Sequence, residues 1–312
     1  MYADHTMLND AVRLARFREA IQARVQPGDV VLDAGTGTGV LAVMAVQAGA
    51  SHVFAVDNRG IIGLARSVAE ANGCADRITF IQGDMRDVRL PEPAHGVVCE
   101  QLGYAGLAEG IGRLLERVMQ RHVRPGGWCI PHRMTVFAAP VQDHALYGQL
   151  MLHCCAPGLD MDPVREEIAQ NYWVELLSGS EFLAPPRDIM RMAWGAQTAD
   201  QPAEPAFAIE RAGALHGFGA WFTADLAPGV TLDTGPQAPP TSWRQVFFPL
   251  RHPLAVQPGD TLSFVLTTLP LPQGDMFHWR YALSRNGNTV AEAAHTNALT
   301  YHAHKAFSGN GS

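Results

Sequence analysis

The chain has 312 residues, of which 47% are hydrophobic and 17% charged, so it is long enough for two modest domains and too apolar to be disordered. Its formal net charge of −7 excludes a broad basic surface for nucleic acid and is compatible with a cationic substrate or partner. The five cysteines lack the paired spacing of a zinc site, so we expect neither a metal nor a disulfide framework.

Targeting signals are not evident in the sequence. It contains no run of about 18 apolar residues, and its amino terminus lacks the basic and apolar regions of a secretory signal. We therefore expect a soluble, cytoplasmic protein with no membrane partner. Alanine is abundant and Lys305 is the single lysine among 23 basic residues, which suggests a GC-rich, bacterial coding sequence.

Apolar residues recur at near-helical spacing from residue 7 to residue 24, which predicts an amphipathic helix that includes Met7. Asp10 and Arg13 then lie three residues apart on one face of this helix. They form either a surface ion pair or part of a site, and the spacing alone leaves both interpretations open.

A buried strand at residues 30–34 runs into the glycine-rich turn Gly35-Thr36-Gly37-Thr38-Gly39, and a helix follows. This order is typical of nucleotide-binding α/β proteins, because glycine lets the backbone come close to a ligand at the start of a helix. The position after Gly39 is Val40, so the pattern departs from the dinucleotide fingerprint. A turn with only a structural role is the alternative.

Three more predicted strands end in polar residues. Residues 52–57 end in Asp57, which is placed to accept both ribose hydroxyls of a nucleotide. Residues 78–82 precede Asp84 and Met85, which can contact an adenine edge, although Asp84 is equally suited to cap a helix. The apolar run at residues 96–98 leads to Glu100. Because ligands bind outside the carboxyl ends of parallel strands, we expect these residues to share one rim.

The loop after the fourth strand contains two carboxylates, Glu100 and Glu109, on either side of Gly103, Tyr104 and Gly106. Two carboxylates in this arrangement can hold one planar guanidinium, whose forked donors match them. Taken alone, two glutamates near a loop are more often solvated surface charges.

Residues 132–312 contain short β-prone stretches separated by Pro and Gly, which predicts a mostly antiparallel barrel or sandwich. Residues 146–192 interrupt it with a helical or irregular segment that is rich in aromatic and methionine side chains. This segment is either a protruding apolar arm or a buried insertion.

Together these features resemble the protein arginine methyltransferases, a family of class I S-adenosylmethionine-dependent methyltransferases. Asp33 to Gly39 is similar to the first motif of class I enzymes, and Glu100 to Glu109 is similar to the family's double-glutamate hairpin. The resemblance implies an α/β fold with a Rossmann-like cofactor domain and lid helix at residues 1–131. It also implies a β-barrel substrate domain at residues 132–312, with a helical dimerisation arm at about residues 146–192.

The resemblance, with the strand ends above, implies roles for individual residues. The expected catalytic residues are Met7, Asp10, Glu100 and Glu109. Arg13 is expected to bind the methionyl carboxylate of S-adenosylmethionine, and the other expected cofactor residues are Asp33, Gly35, Gly37, Gly39, Asp57, Asp84 and Met85. Tyr104, Ser242 and Trp243 are expected to contact the substrate, the last two from a segment similar to the family's Thr-His-Trp loop.

The sequence departs from the family at three places. Ser242 replaces the histidine of the Thr-His-Trp loop, so the family's pair between that histidine and Asp10 cannot form. Gln101 and Leu102 replace the common Trp-Met pair, which leaves the methylation product undetermined. The chain begins only a few residues before Met7, so we expect it to lack most of the family's amino-terminal lid helix.

These observations predict a homodimeric S-adenosylmethionine-dependent methyltransferase that acts on an ω-nitrogen of arginine, either free or within a peptide. Two alternatives stay open. One is methylation of another small amine or amidine, and the other is an inactive, cofactor-binding partner subunit.

Overall fold

The protein is described here by a computed structural model that covers residues 6–106, 110–152, 158–194, 205–271 and 274–297. Its first part forms a five-stranded parallel sheet in the order β3-β2-β1-β4-β5. The strands are β1 Val30–Ala34, β2 His52–Asp57, β3 Ile78–Gln82, β4 Ala94–Cys99 and β5 Val123–Ile130. The helices that accompany them are α1 Ala11–Arg24, α2 Val40–Gln47, α3 Ile62–Ala71 and α4 Ile111–His122.

Burial of this sheet follows from its sequence. Every residue of β1 is buried, as expected for a central parallel strand with helices on both faces. Ala34 at the end of β1 pairs with Cys99 at the end of β4, and also with Val56 in β2. The carboxyl ends of these three strands therefore lie side by side, and the residues that follow them share one edge of the sheet.

The helix predicted for residues 7–24 is interrupted in the structure. Residues 6–8 are helical, but α1 begins only at Ala11, and Asp10 is its N-cap. A side chain that caps a helix satisfies one of its unpaired N–H groups, which explains why the helix starts here. Asp10 and Arg13 are consequently not an ion pair on one helical face.

The second part of the chain forms two mainly antiparallel sheets. The larger contains seven strands: five follow the order β7-β13-β11-β6-β8, while β9 pairs with β6 and β12 pairs with β11. The smaller has the order β10-β14-β15-β16. The strands are β6 Arg133–Gln142, β7 Trp173–Glu175, β8 Glu181–Phe182, β9 Arg187–Ala193, β10 Ala206–Ala208, β11 Gly213–Ala227, β12 Val230–Asp233, β13 Gln245–Val256, β14 Thr261–Leu271, β15 Gly274–Arg285 and β16 Asn288–Thr296.

Aromatic side chains join the two antiparallel sheets into one core. The rings of Phe218 and Phe264 stack with centroids 4.3 Å apart, and those of Phe248 and Trp279 lie 5.0 Å apart. Such pairs contribute about 0.5–1.5 kcal/mol each beyond the area that they bury. The predicted fold class, an α/β protein with a parallel sheet followed by antiparallel strands, is confirmed.

The predicted arm at residues 146–192 is helical only in part. Its helices are α5 His144–Leu152 and α6 Asp162–Ala169. Strand β7 pairs with β13, and β9 pairs with β6, so both belong to the larger sheet rather than to an insertion. Leu159, which precedes α6, and Val164, which lies within it, are exposed apolar residues. Among the described residues, no helix combines the length and apolarity needed to cross a membrane.

Candidate active site

The glycine-rich turn after β1 lies in the left-handed region that glycine tolerates. The φ angles of Gly35, Gly37 and Gly39 are 82°, 52° and 79°. The amide of Gly35 donates to the carbonyl of Val56, which ties the turn to the end of β2. A Cβ on Gly39 would lie 3.0 Å from the Cβ of Ala65, so glycine is also needed there for close packing. The turn opens helix α2 with backbone amides near the strand ends.

Asp33 is almost completely enclosed, with 1% of its surface exposed. One carboxylate oxygen accepts a hydrogen bond from the Thr36 hydroxyl at 2.6 Å, and the other has no partner among the described residues. Burial raises the pKa of Asp33 to about 6, because the charged form loses its hydration. An unpaired, buried carboxylate oxygen is chemically suited to an ammonium group.

Asp57, at the end of β2, is 3% exposed and accepts four hydrogen bonds, two of them from backbone amides. The amide of Gly37 donates to Oδ2 at 2.9 Å, and the amide of Arg59 donates to Oδ1 at 2.9 Å. The Arg59 guanidinium adds hydrogen bonds of 3.2 and 3.4 Å, but its side chain is 54% exposed and can move away. An ionised carboxylate has about four lone-pair sites, and the two backbone amides use only two of them, so a hydroxyl can take the place of the exposed Arg59 side chain.

Asp84 and Met85 follow β3 but do not begin a helix. The Asp84 carboxylate accepts from the amide of Arg86 at 2.8 Å and from its Nε at 2.9 Å. The Arg86 guanidinium lowers the pKa of Asp84. Met85 is buried, and its carbonyl contacts Nε2 of His122 at 2.9 Å. The structure therefore places both residues at the rim, with Asp84 closing a turn rather than capping a helix.

Glu100 follows β4 directly and is 8% exposed. Its carboxylate binds the guanidinium of Arg13 through two parallel hydrogen bonds, Nε to Oε1 at 2.8 Å and Nη2 to Oε2 at 2.9 Å. This bidentate geometry is the one in which carboxylate and guanidinium match best. The structure thus shows that Glu100 is oriented to hold a planar guanidinium at the rim.

The side chain of Arg13 contacts three residues in the structure. Besides its two bonds to Glu100, it donates from Nη1 to the carbonyl of Met7 at 2.6 Å, and its guanidinium lies 5.9 Å from the ring centroid of Trp243. The resemblance implies that Arg13 binds the methionyl carboxylate, and two of its five N–H donors stay available for that role. Met7 takes part through its backbone.

Asp10 holds two segments of backbone. Its Oδ1 accepts from the amide of Arg13 at 2.9 Å, and its Oδ2 accepts from the amide of Ser242 at 2.6 Å. The backbone of Ser242 therefore contacts Asp10 where the family's histidine would do so. This arrangement makes Asp10 a structural connection between α1 and the loop before β13.

The other predicted substrate residues have different environments. Trp243 is 6% exposed and packs edge-on against Phe222, with ring centroids 5.5 Å apart, so it belongs to the core beneath the loop. Tyr104 is 41% exposed, in a short 3₁₀ turn Tyr104–Gly106. Glu109 lies outside the described residues. No group of three or more His, Cys, Asp or Glu within the described ranges has the arrangement of a metal site.

Two contributors to the site were not predicted from the sequence. Thr36 binds Asp33 within the glycine turn, and Arg59 binds Asp57 after β2. Thr36 lies three residues after Asp33, and Arg59 two residues after Asp57, so local side-chain hydrogen bonding is the signal that would have identified them.

Both parts of the chain match known protein families. Residues 18–132 match the ribosomal protein L11 methyltransferase (PrmA) family, and residues 132–283 match the arginine methyltransferase oligomerization subdomain. The chain is 28% identical over 286 residues to protein arginine N-methyltransferase 6 of Xenopus laevis, covering 85% of this chain and 82% of that protein. It is also 28% identical over 276 residues to protein arginine N-methyltransferase 1 of Schizosaccharomyces pombe, covering 85% and 81%.

Solved structures agree on the fold. The Trypanosoma brucei PRMT1 enzyme–prozyme heterotetrameric complex with AdoHcy superposes with a TM-score of 0.84 and 23% identity, covering 95% of this chain and 98% of that one. Protein arginine methyltransferase 10 of Arabidopsis thaliana gives a TM-score of 0.80 at 22% identity, covering 95% and 97%. The relatives named here are eukaryotic, so they lend no support to the bacterial origin suggested by composition.

Proposed function

We propose that this chain, which belongs to the protein arginine methyltransferase family, transfers a methyl group from S-adenosylmethionine to an ω-nitrogen of an arginine within a protein. One structural observation supports the proposal independently of the family relationship. Glu100, at the end of β4, binds the guanidinium of Arg13 with two parallel hydrogen bonds, and the substrate guanidinium is proposed to take this place. The names of the related enzymes support a peptidyl rather than a free arginine.

The cofactor site fits S-adenosylmethionine on its own chemistry. Asp57 offers a buried carboxylate for ribose hydroxyls, and the glycine turn lets the backbone approach a ligand. Asp33 offers an unpaired oxygen that suits the ammonium of the methionyl group. When bound, S-adenosylmethionine supplies a methyl group that its sulfonium has already activated.

The remaining task of the protein is to present the guanidine nitrogen in line with that methyl group. A guanidinium is a poor nucleophile because its lone pairs are delocalised. Glu100 and Glu109 are proposed to hold its plane and to localise positive charge on the nitrogens that they bind. Both oxygens of Asp10 hold backbone amides, so Glu109 is the group proposed to accept the proton of the product.

The test compares methyl transfer by the wild type, Glu100→Gln and Glu109→Gln, with Glu19→Gln as a matched control. Glu19 is a surface glutamate, 51% exposed in its pair with Arg16, and its change should leave the rate unaltered. Each clamp variant should lose on the order of a hundredfold or more in rate, with nearly unchanged affinity for S-adenosylhomocysteine. Full activity in both clamp variants would disprove the clamp.

The substrate class is tested by mass spectrometry after incubation with isotopically labelled cofactor. We expect label on an arginine-glycine peptide and little on free L-arginine. Label on free arginine alone would transfer the proposal to small guanidines. Tight cofactor binding without label on any guanidine would indicate an inactive partner subunit.

A homodimer formed through the arm is also proposed, and two observations support it. Residues 132–283 match an oligomerization subdomain, and the arm exposes Leu159 and Val164, which are 69% and 40% exposed. Light scattering at micromolar concentration should give a dimer mass for the wild type and a monomer mass for Leu159→Asp. Val290→Asp, at an exposed apolar position on β16, is the control and should stay dimeric. A monomeric wild type would reject the proposal.

A cytoplasmic location is also proposed, and the free, buried thiols of Cys74 and Cys129 support it, because thiols stay reduced in the cytoplasm. Fractionation of the host cells should recover the protein with soluble cytoplasmic markers, and its recovery in a membrane or secreted fraction would contradict the proposal.

A further inference from the structure

The order of strands determines which residues lie on either side of a ribose bound at Asp57. In the sheet, β1 lies between β2 and β4, while β3 lies beyond β2. A ribose bound at Asp57, after β2, therefore has Asp84 on one side and the ends of β1 and β4 on the other. If the adenine is directed toward β3, the amino-acid tail of the cofactor reaches the ends of β1 and β4. This placement rests on the proposed function.

The amino-acid tail carries an ammonium and a carboxylate, and each needs a partner when water is removed. Asp33 offers the ammonium an unpaired acceptor. The carboxylate needs a donor, and the family resemblance assigns this role to Arg13. In this structure Nε and Nη2 of Arg13 donate to Glu100, and Nη1 donates to the carbonyl of Met7. Three of the five N–H donors of that guanidinium are therefore engaged, so a further donor beside Arg13 would help to satisfy the two oxygens of the carboxylate.

Gln101 brings a second donor to the same place. The amide of Leu102 donates to the carbonyl of Glu100 at 2.8 Å, which forms a tight turn centred on Gln101. The Gln101 side chain lies directly on the glycine turn. A Cβ built on Gly35 would be 2.8 Å from its Cδ and 3.0 Å from its Nε2. Such a Cβ would collide with the Gln101 side chain. The Gln101 amide can therefore occupy this position because residue 35 is a glycine.

Gln101 is half-buried as a residue, and no residue in the described part of the chain forms a hydrogen bond with its side-chain amide. A side-chain amide has two N–H donors and a carbonyl acceptor, so a half-buried amide without a partner is ready for a polar ligand. Its neighbours on the rim are the glycine turn on one side and Glu100 on the other. A donor at this point faces the region where the tail of the cofactor lies.

We infer that the side-chain amide of Gln101 donates a hydrogen bond to the carboxylate of the cofactor's amino-acid tail and so positions the cofactor beside Glu100. In the sequence, Gln101 stands where the family commonly has tryptophan. The structure suggests a role for this departure, because the short Gln101 amide lies against the glycine turn and carries two N–H donors. Gln101 is thus a positioning residue for the proposed reaction.

The experiment measures binding of two ligands that differ only in the carboxylate: S-adenosylhomocysteine and its decarboxylated analogue, S-adenosyl-3-thiopropylamine. Isothermal titration is performed on the wild type, Gln101→Met and Gln101→Glu. Methionine keeps the length and bulk of glutamine without its donors, and glutamate adds a charge that repels a carboxylate. Gln101→Met should weaken binding of S-adenosylhomocysteine about tenfold or more, since a hydrogen bond to a charged group is lost. Gln101→Glu should weaken it further.

The decarboxylated analogue separates positioning from packing. Its affinity should change by less than about twofold in Gln101→Met, because it lacks the group that Gln101 binds. Equal losses for both ligands would show a packing role and overturn the inference, as would unchanged binding of S-adenosylhomocysteine. A raised KM for the arginine substrate with unchanged cofactor binding would instead assign Gln101 to the substrate and also overturn it. If the wild type binds neither ligand, the proposed function fails together with this inference.

Discussion

The pair between Arg13 and Glu100 allows a quantitative test of the site's architecture. The change is Arg13→Met, which removes the guanidinium but keeps an unbranched apolar side chain. The two side chains are 5% and 9% exposed, and two charge-assisted hydrogen bonds of 2.8 and 2.9 Å join them. Removing one member of a buried pair leaves the other charge uncompensated, which costs about 3–5 kcal/mol. Because Glu100 lies at a rim, we expect a value near the lower end, about 3 kcal/mol.

The assay is urea unfolding followed by circular dichroism at neutral pH, applied to a double-mutant cycle. The variants are Arg13→Met, Glu100→Gln and both together. Loss of the bond to Met7 and of the contact with Trp243 affects the single and double variants alike, so it cancels in the cycle. The double variant buries no unpaired charge, and it should recover most of the stability lost by Arg13→Met.

The exposed pair between Arg16 and Glu19 is the matched control. Its side chains are 48% and 51% exposed in the same helix, so Arg16→Met should cost less than about 1 kcal/mol. If Arg13→Met costs no more than Arg16→Met, the buried pair does not stabilise the site as argued. If the double variant loses the sum of the single losses, the two groups are not coupled and the reasoning fails.

Two further changes probe Asp33 and Asp10. Burial raises the pKa of Asp33 from 3.8 to about 6, so its ionised form destabilises the fold, and stability falls as the pH rises from about 4 to about 6. Asp33→Asn, which can still accept from Thr36, should therefore be about 3 kcal/mol more stable than the wild type above pH 6 and equal to it near pH 4, as measured by urea unfolding across pH. Asp10→Ala should cost about 2–3 kcal/mol in the same assay, because it removes a helix cap and leaves the Ser242 amide without an acceptor. Ser242→Ala should change the free energy of unfolding by less than about 0.5 kcal/mol, since the backbone makes this bond. A large loss in Ser242→Ala, or a gain for Asp33→Asn that does not depend on pH, would contradict these arguments.

The parallel sheet and its rim followed from local features of the sequence. The strand at residues 30–34 is continuously apolar and ends in a glycine turn, and these local signals determine both its burial and its loop. Asp57 and Glu100 could be assigned to the rim because each directly follows an apolar run, and parallel strands end at one edge. The predicted arm, residues 146–192, includes strands as well as helices. Strand β7 has three residues and β8 has two, and strands this short show no readable alternation of apolar and polar residues.

The partners of the charged residues were not accessible from local pattern, because the contacts that decide them join distant parts of the chain. Arg13 and Glu100 are separated by 87 residues, and Asp10 and Ser242 by 232. At three residues apart, Asp10 and Arg13 suggested an ion pair, yet a carboxylate just before a helix satisfies a free backbone amide instead. Once Asp10 accepts the amide of Arg13, the Arg13 side chain is free to pair with Glu100. Capping therefore connects the start of one helix to the carboxylate on which the proposed chemistry depends.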